Sequence, residues 1–188
     1  MTKVTCFRLI YIEKDLGYVM KTKQLTIAAV IIAVNIVLSY VVKLPTPTGF
    51  VSLVETGIFI AAWHYGSKTG AFVGGLTGLL LDLLAGYPQW MIFSFIIHGL
   101  EGWVLGKFAM DERIGKRVWG NFLGGSVMVV GYWIAGAFLI WLTGGAKMTM
   151  PSAALASLTG VPANIMQVLV GFILALLLSA PFRKVLRK

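Results

Sequence analysis

The chain has 188 residues, 58% of them hydrophobic and only 12% charged, with a mean hydropathy of +0.86. That usage lies far outside soluble globular domains and sets the class as an integral membrane protein. The net charge of +9 is explained by basic residues that flank apolar segments, so it calls for no nucleic-acid partner.

Residues 1–19 carry mixed charge, with no long apolar core and no small-residue cleavage site, and so differ from a secretory signal. They are expected to be either a dispensable N-terminal extension or a stretch ahead of the true start at Met20, which precedes Lys21-Thr22-Lys23. The lone Cys6 lies among them, and one cysteine cannot form an internal disulfide. Residues 20–188 are expected to form one all-α membrane domain, a bundle of six transmembrane helices, because each crossing takes about 20 residues. The apolar segments run over 25–42, 50–65, 69–85, 89–108, 118–142 and 160–181. The second and third are short and joined only by Gly66-Ser67-Lys68, which allows a tilted or partly re-entrant path. With both termini cytoplasmic, 14 of the 16 Lys and Arg residues fall inside, and only Lys43 and Lys147 outside. The chain is therefore expected to span a membrane several times, with lipid as a partner throughout.

Polar residues inside these segments mark the functional part. On the first segment Ala29 and Ala33 form a small-residue pair suited to a partner helix, and Gly70, Gly74 and Gly78 repeat the pattern on the third, where packing within the chain is favoured. Asp82 on the same segment fits either a helix-packing hydrogen bond or a pocket. Trp90, Ser94, His98 and Glu101 are spaced to share one helix face. Ionisable groups in a bilayer face a bundle interior or a wet cavity. His98 and Glu101 alone make a weak metal site, so no metal and no cofactor is expected. Gly66-Ser67-Lys68-Thr69-Gly70 lacks the spacing of a phosphate-binding loop, which leaves any driving energy to another subunit or an ion gradient.

The topology gathers Ser52 and Glu55, Tyr87 to Trp90, Tyr132, Trp133, Trp141, Asn164 and Gln167 at one depth on the outer side. An aromatic-walled cavity with a carboxylate and amides suits a small flat heterocycle, neutral or weakly cationic. The expected ligand-binding residues are Glu55, Gln89, His98, Asn164 and Gln167 as hydrogen-bonding groups, with Tyr87, Trp90 and Trp133 as stacking walls. No catalytic residue is expected, because no nucleophile is paired with a base.

Gly86-Tyr87-Pro88-Gln89-Trp90, then His98-Gly99-Leu100-Glu101-Gly102, after a Gly-rich helix with Asp82, resemble the substrate-binding S components of energy-coupling factor (ECF) vitamin transporters. Ala29-x-x-x-Ala33 is similar to the motif by which that family docks on its shared transmembrane subunit. The resemblance covers residues 20–188 and implies a six-helix, non-catalytic subunit that captures a vitamin from outside. It also implies a lid in the first external loop, Leu44 to Gly49, and a coupling membrane subunit with two ATP-binding subunits as partners. Within the family the chain is most similar to members for hydroxymethylpyrimidine or pyridoxine; pantothenate, folate and thiamin-related ligands are the alternatives. A stand-alone ion-coupled transporter using Glu55, Asp82 and Glu101 is the rival class, without the inverted repeat such proteins carry.

Overall fold

A computed structural model describes residues 22–46, 49–109, 113–146 and 148–186. The extension 1–19 and Lys147 lie outside the described residues. Helix α1 (Thr22–Val41) leads into a β-hairpin of β1 (Lys43–Thr46) and β2 (Gly49–Ser52). Helices α2 (Val54–Ala85), α3 (Met91–Phe108), α4 (Ile114–Thr143), the short α5 (Met150–Ser157) and α6 (Val161–Leu186) follow. A 3-10 turn, Leu158–Gly160, joins α5 to α6. Among the described residues, five stretches are long and apolar enough to cross a membrane: Thr22–Val41, Val54–Ala85, Met91–Phe108, Ile114–Thr143 and Met150–Ser179.

The second and third apolar segments, expected to be separate, are the two arms of α2. At Gly66 the backbone leaves the helical region (φ 81°, ψ −174°), a conformation essentially reserved for glycine. A side chain started at Gly70 would stand 2.9 Å from the Ala62 Cβ. Glu55 and Gly78 both reach His98, the first with its carboxylate oxygen 3.7 Å from Nδ1. In a straight helix those two residues would be about 34 Å apart. The arms therefore lie side by side, with Gly66 as the bend.

The segment from residue 50 also starts differently from expectation. Phe50 to Ser52 belong to β2, paired antiparallel with β1 from Lys43 opposite Ser52 to Thr46 opposite Gly49. Two strands of this length carry no periodic signal, and Pro45 sits on an edge, where a missing N–H is tolerated. The Lys43 ammonium lies 4.3 Å from the Phe50 ring centre, and Phe50 meets the Tyr87 ring at 5.6 Å. These contacts hold the hairpin against the turn that follows α2.

The core joins Ile58, Phe59 and Trp63 of α2 to Leu105 of α3, Met128 of α4, and Val168 and Ala175 of α6. The α2–α3 contact is the closest in the bundle, and small residues make it so. Gly70 faces the Gly102 backbone, Gly74 the His98 carbonyl, and Gly78 the Ser94 carbonyl. The glycine repeat is thus consumed by packing within the chain. At the opposite end, Arg117 is buried against the Trp63 ring, 4.5 Å from its centre, and donates to Ser179 Oγ at 3.1 Å. Helix α1 packs through Ala28, Ile31 and Ile32 onto Ala61 and Val73, and Asn35 Nδ2 donates to the Val54 carbonyl at 2.7 Å. Its other side, including Ala29 and Ala33, is exposed.

Candidate ligand-binding cavity

The hairpin end of the bundle encloses a cavity with about 70 Å³ of space for water centres. One water needs on the order of 10–15 Å³ of such space, so the cavity has room for several. Its lining draws on every element except α1 and β1. Phe50 and Ser52 come from β2, Gly78, Leu81 and Asp82 from α2, and Tyr87 and Trp90 from the turn. His98 comes from α3, Met128 and Tyr132 from α4, Ser157 and Gly160 from the α5–α6 corner, and Asn164 and Gln167 from α6.

The turn that carries the aromatic wall follows from local chemistry. Helix α2 stops because Gly86 adopts the left-handed conformation (φ 82°) and returns its N–H to the last turn. Pro88 then lies in the turn before the next helix, and Trp90 is buried as that helix's N-cap residue. The Trp90 ring lies 5.7 Å from that of Tyr132. The two form an aromatic corner on which a flat ring can stack.

Beneath the aromatic corner runs a chain of hydrogen bonds between residues far apart in sequence. The Ser52 N–H donates to Gln167 Oε1 at 2.8 Å, and Gln167 Nε2 donates to Glu55 Oε1 at 3.0 Å. His98 Nδ1 lies 3.0 Å from Glu101 Oε2 and 3.7 Å from Glu55 Oε1. Because Nδ1 faces two carboxylates, it carries the hydrogen and donates. His98 Nε2 meets the Tyr132 hydroxyl at 3.0 Å, and that hydroxyl meets Ser94 Oγ at 2.7 Å. Glu55 and Glu101 are completely buried and form the floor rather than the wall. The donor atoms of Glu55, His98 and Glu101 fall within 4.8 Å of one another. Their shortest spacing is a hydrogen bond, which fixes the imidazole orientation for the cavity above.

Of the expected ligand-binding residues, Tyr87, Trp90, His98, Asn164 and Gln167 meet at the cavity, and Glu55 supports Gln167 and His98 from below. Two lie elsewhere. Gln89 is exposed in the turn, while its neighbour Trp90 takes the inward position. Trp133 points to the next helix instead: its indole N–H donates to the Ala154 carbonyl at 2.9 Å, and its own carbonyl accepts from Ser157 Oγ at 2.8 Å. It braces α5 rather than walling the cavity. Tyr132, one residue earlier, holds the position expected of Trp133. Asp82, which the sequence left between two roles, lines the cavity.

A family model for the S component of ECF-type riboflavin transporters matches residues 19–184. The thiamine precursor transporter HmpT of Lactococcus lactis subsp. cremoris (strain MG1363) is 36% identical over 161 residues, 84% of this chain and 86% of that protein. An uncharacterized protein of Pyrococcus woesei is 34% identical over 113 residues, 58% of this chain and 75% of that one. With its apolar helices, the chain is a multi-pass membrane protein that belongs to the S-component family of ECF-type riboflavin transporters.

Proposed function

We propose that this protein is the high-affinity capture subunit of an ATP-driven ECF importer, and that its cargo is the thiamine precursor 4-amino-5-hydroxymethyl-2-methylpyrimidine. The observation that carries the choice of cargo is the 36% identity, over 84% of this chain, to a thiamine precursor transporter. Pyridoxine, another single ring, is the second reading.

In this reading the two arms of α2 count separately, which gives six crossings, and both termini face the cytoplasm of a prokaryotic cell. The β-hairpin is the lid: Ser52 fastens it to Gln167, and Lys43 and Phe50 fasten it to Tyr87. Glu55, Tyr87, Trp90, His98, Asn164 and Gln167 bind or position the ligand. ATP hydrolysis belongs to two partner subunits, and a coupling membrane subunit docks on the Ala29 and Ala33 face. The test is a titration of purified protein, followed by tryptophan fluorescence, with the aminopyrimidine, pyridoxine and riboflavin. Saturable tight binding of the aminopyrimidine without riboflavin binding is expected. Tight riboflavin binding with a silent aminopyrimidine would overturn the choice of cargo.

A further inference from the structure

Asp82 is an acid without a matching group. It is 9% exposed and lines the cavity, yet its Oδ2 has no hydrogen-bond partner. Ser94 bonds to the same carboxylate and is shared with the Tyr132 hydroxyl. His98 acts on it through space and Lys43 less strongly, the Lys43 ammonium being held over the rings of Phe50 and Tyr87, 4.3 and 5.7 Å from their centres. Among the described residues, His98 pairs with Glu55 and Glu101 within 4 Å, and neither pair involves Asp82. A buried carboxylate oxygen of this kind costs free energy unless something meets it. Asp82 lines the same cavity as Trp90 and Tyr132, whose ring centres stand 5.7 Å apart.

A carboxylate presents two parallel acceptors, and it pairs best with two parallel N–H donors on a planar cation. An aminopyrimidine protonated on the ring nitrogen beside its amino group offers that edge. We propose that Asp82 binds the amidine edge of an aminopyrimidine ligand as its ring-protonated cation, and so selects amino over oxo pyrimidines. The ring nitrogen takes its proton from solvent, and no bond to the protein forms. This inference rests on the single-ring cargo proposed above and names the residue that reads it.

The experiment uses three ligands and two proteins, with affinities read by tryptophan fluorescence. The ligands are 4-amino-5-hydroxymethyl-2-methylpyrimidine, its 4-oxo counterpart and its counterpart lacking the amino group. The wild-type protein is expected to prefer the amino compound over both others by about 100-fold or more, as sites built on paired hydrogen bonds do. The substitution Asp82→Asn replaces one acceptor by a donor and so matches the oxo edge. It is expected to weaken the amino compound by at least about tenfold and to narrow or invert the amino-to-oxo preference. A purely structural role for Asp82 would weaken both ligands equally. Equal weakening, or an unchanged preference, overturns the assignment while the cargo reading stands. The wild-type series needs no variant to fold: a compound without the amino group that binds as tightly as the parent overturns it as well. Failure of the wild type to bind any of the three overturns the cargo reading itself.

Discussion

At the scale of single residues, the Tyr132 hydroxyl is the joint of the cavity. It connects His98 Nε2 to Ser94 Oγ, and so ties the buried carboxylates of the floor to the wall that holds Asp82. Removing it while keeping the ring leaves a buried imidazole nitrogen and a serine without their shared partner. Tyr132→Phe is therefore expected to keep the stacking surface and the fold but weaken ligand binding by about 5- to 30-fold, the equivalent of ~1–2 kcal/mol. Calorimetric titration checks this, and an unchanged affinity would show that the hydroxyl serves packing alone. The same position shows where sequence reasoning stops. Tyr132 and Trp133 are both large aromatics, and a turn of about 100° per residue decides which of them faces inward. In a soluble helix a polar outer face would fix that phase. Helix α4 is apolar on the lipid side and the core side alike, so its phase was not legible. The stripe of Trp90, Ser94, His98 and Glu101 was legible because its polar members stand out against hydrocarbon, and all four are buried on one face.

At the scale of elements, Gly66 and the β-hairpin shape the site. Gly66 lets the two arms of α2 fold back, which brings Glu55 from one arm and Asp82 from the other toward the same imidazole. Alanine at this position has to hold a conformation that side chains disfavour by ~1–3 kcal/mol. Gly66→Ala is expected to lower the melting temperature in detergent, while Ser67→Ala, beside it, leaves it nearly unchanged; equal melting of both variants would remove Gly66 from this role. The turn was visible in the sequence as a three-residue interruption, but its backbone geometry was not. The hairpin was invisible, since its strands span four residues each and its fastening is made by residues from other elements. Phe50 is its main anchor, through Lys43 on one side and Tyr87 on the other. Contacts of this kind contribute ~0.5–2 kcal/mol. Phe50→Ala is accordingly expected to speed ligand release by several-fold with little change in association, as stopped-flow fluorescence would show.

For the whole molecule, the uneven burial of α1 is the informative feature. The helix commits Ala28, Ile31, Ile32, Asn35 and Ser39 to the bundle and leaves Ala29, Val30, Ala33, Val34, Val37 and Val41 exposed. The exposed stripe is smooth because its side chains are short, and smooth surfaces let another helix approach closely in a bilayer, where packing rather than hydrophobicity drives association. The competing small-residue face at Gly70, Gly74 and Gly78 is already occupied by α3, so it has no room for a partner. The cavity, in contrast, receives no side chain from α1, so the docking face proposed above lies apart from it. Bulk added at Ala29 and Ala33 should therefore act on assembly alone. The double variant Ala29→Trp, Ala33→Trp is expected to bind the aminopyrimidine with wild-type affinity when purified, yet fail to co-purify with the coupling subunit and the ATPases and fail to support uptake in cells. Retained assembly would move the interface to another lipid-facing helix, and lost ligand binding would show that α1 is coupled to the cavity through Asn35 and the start of α2.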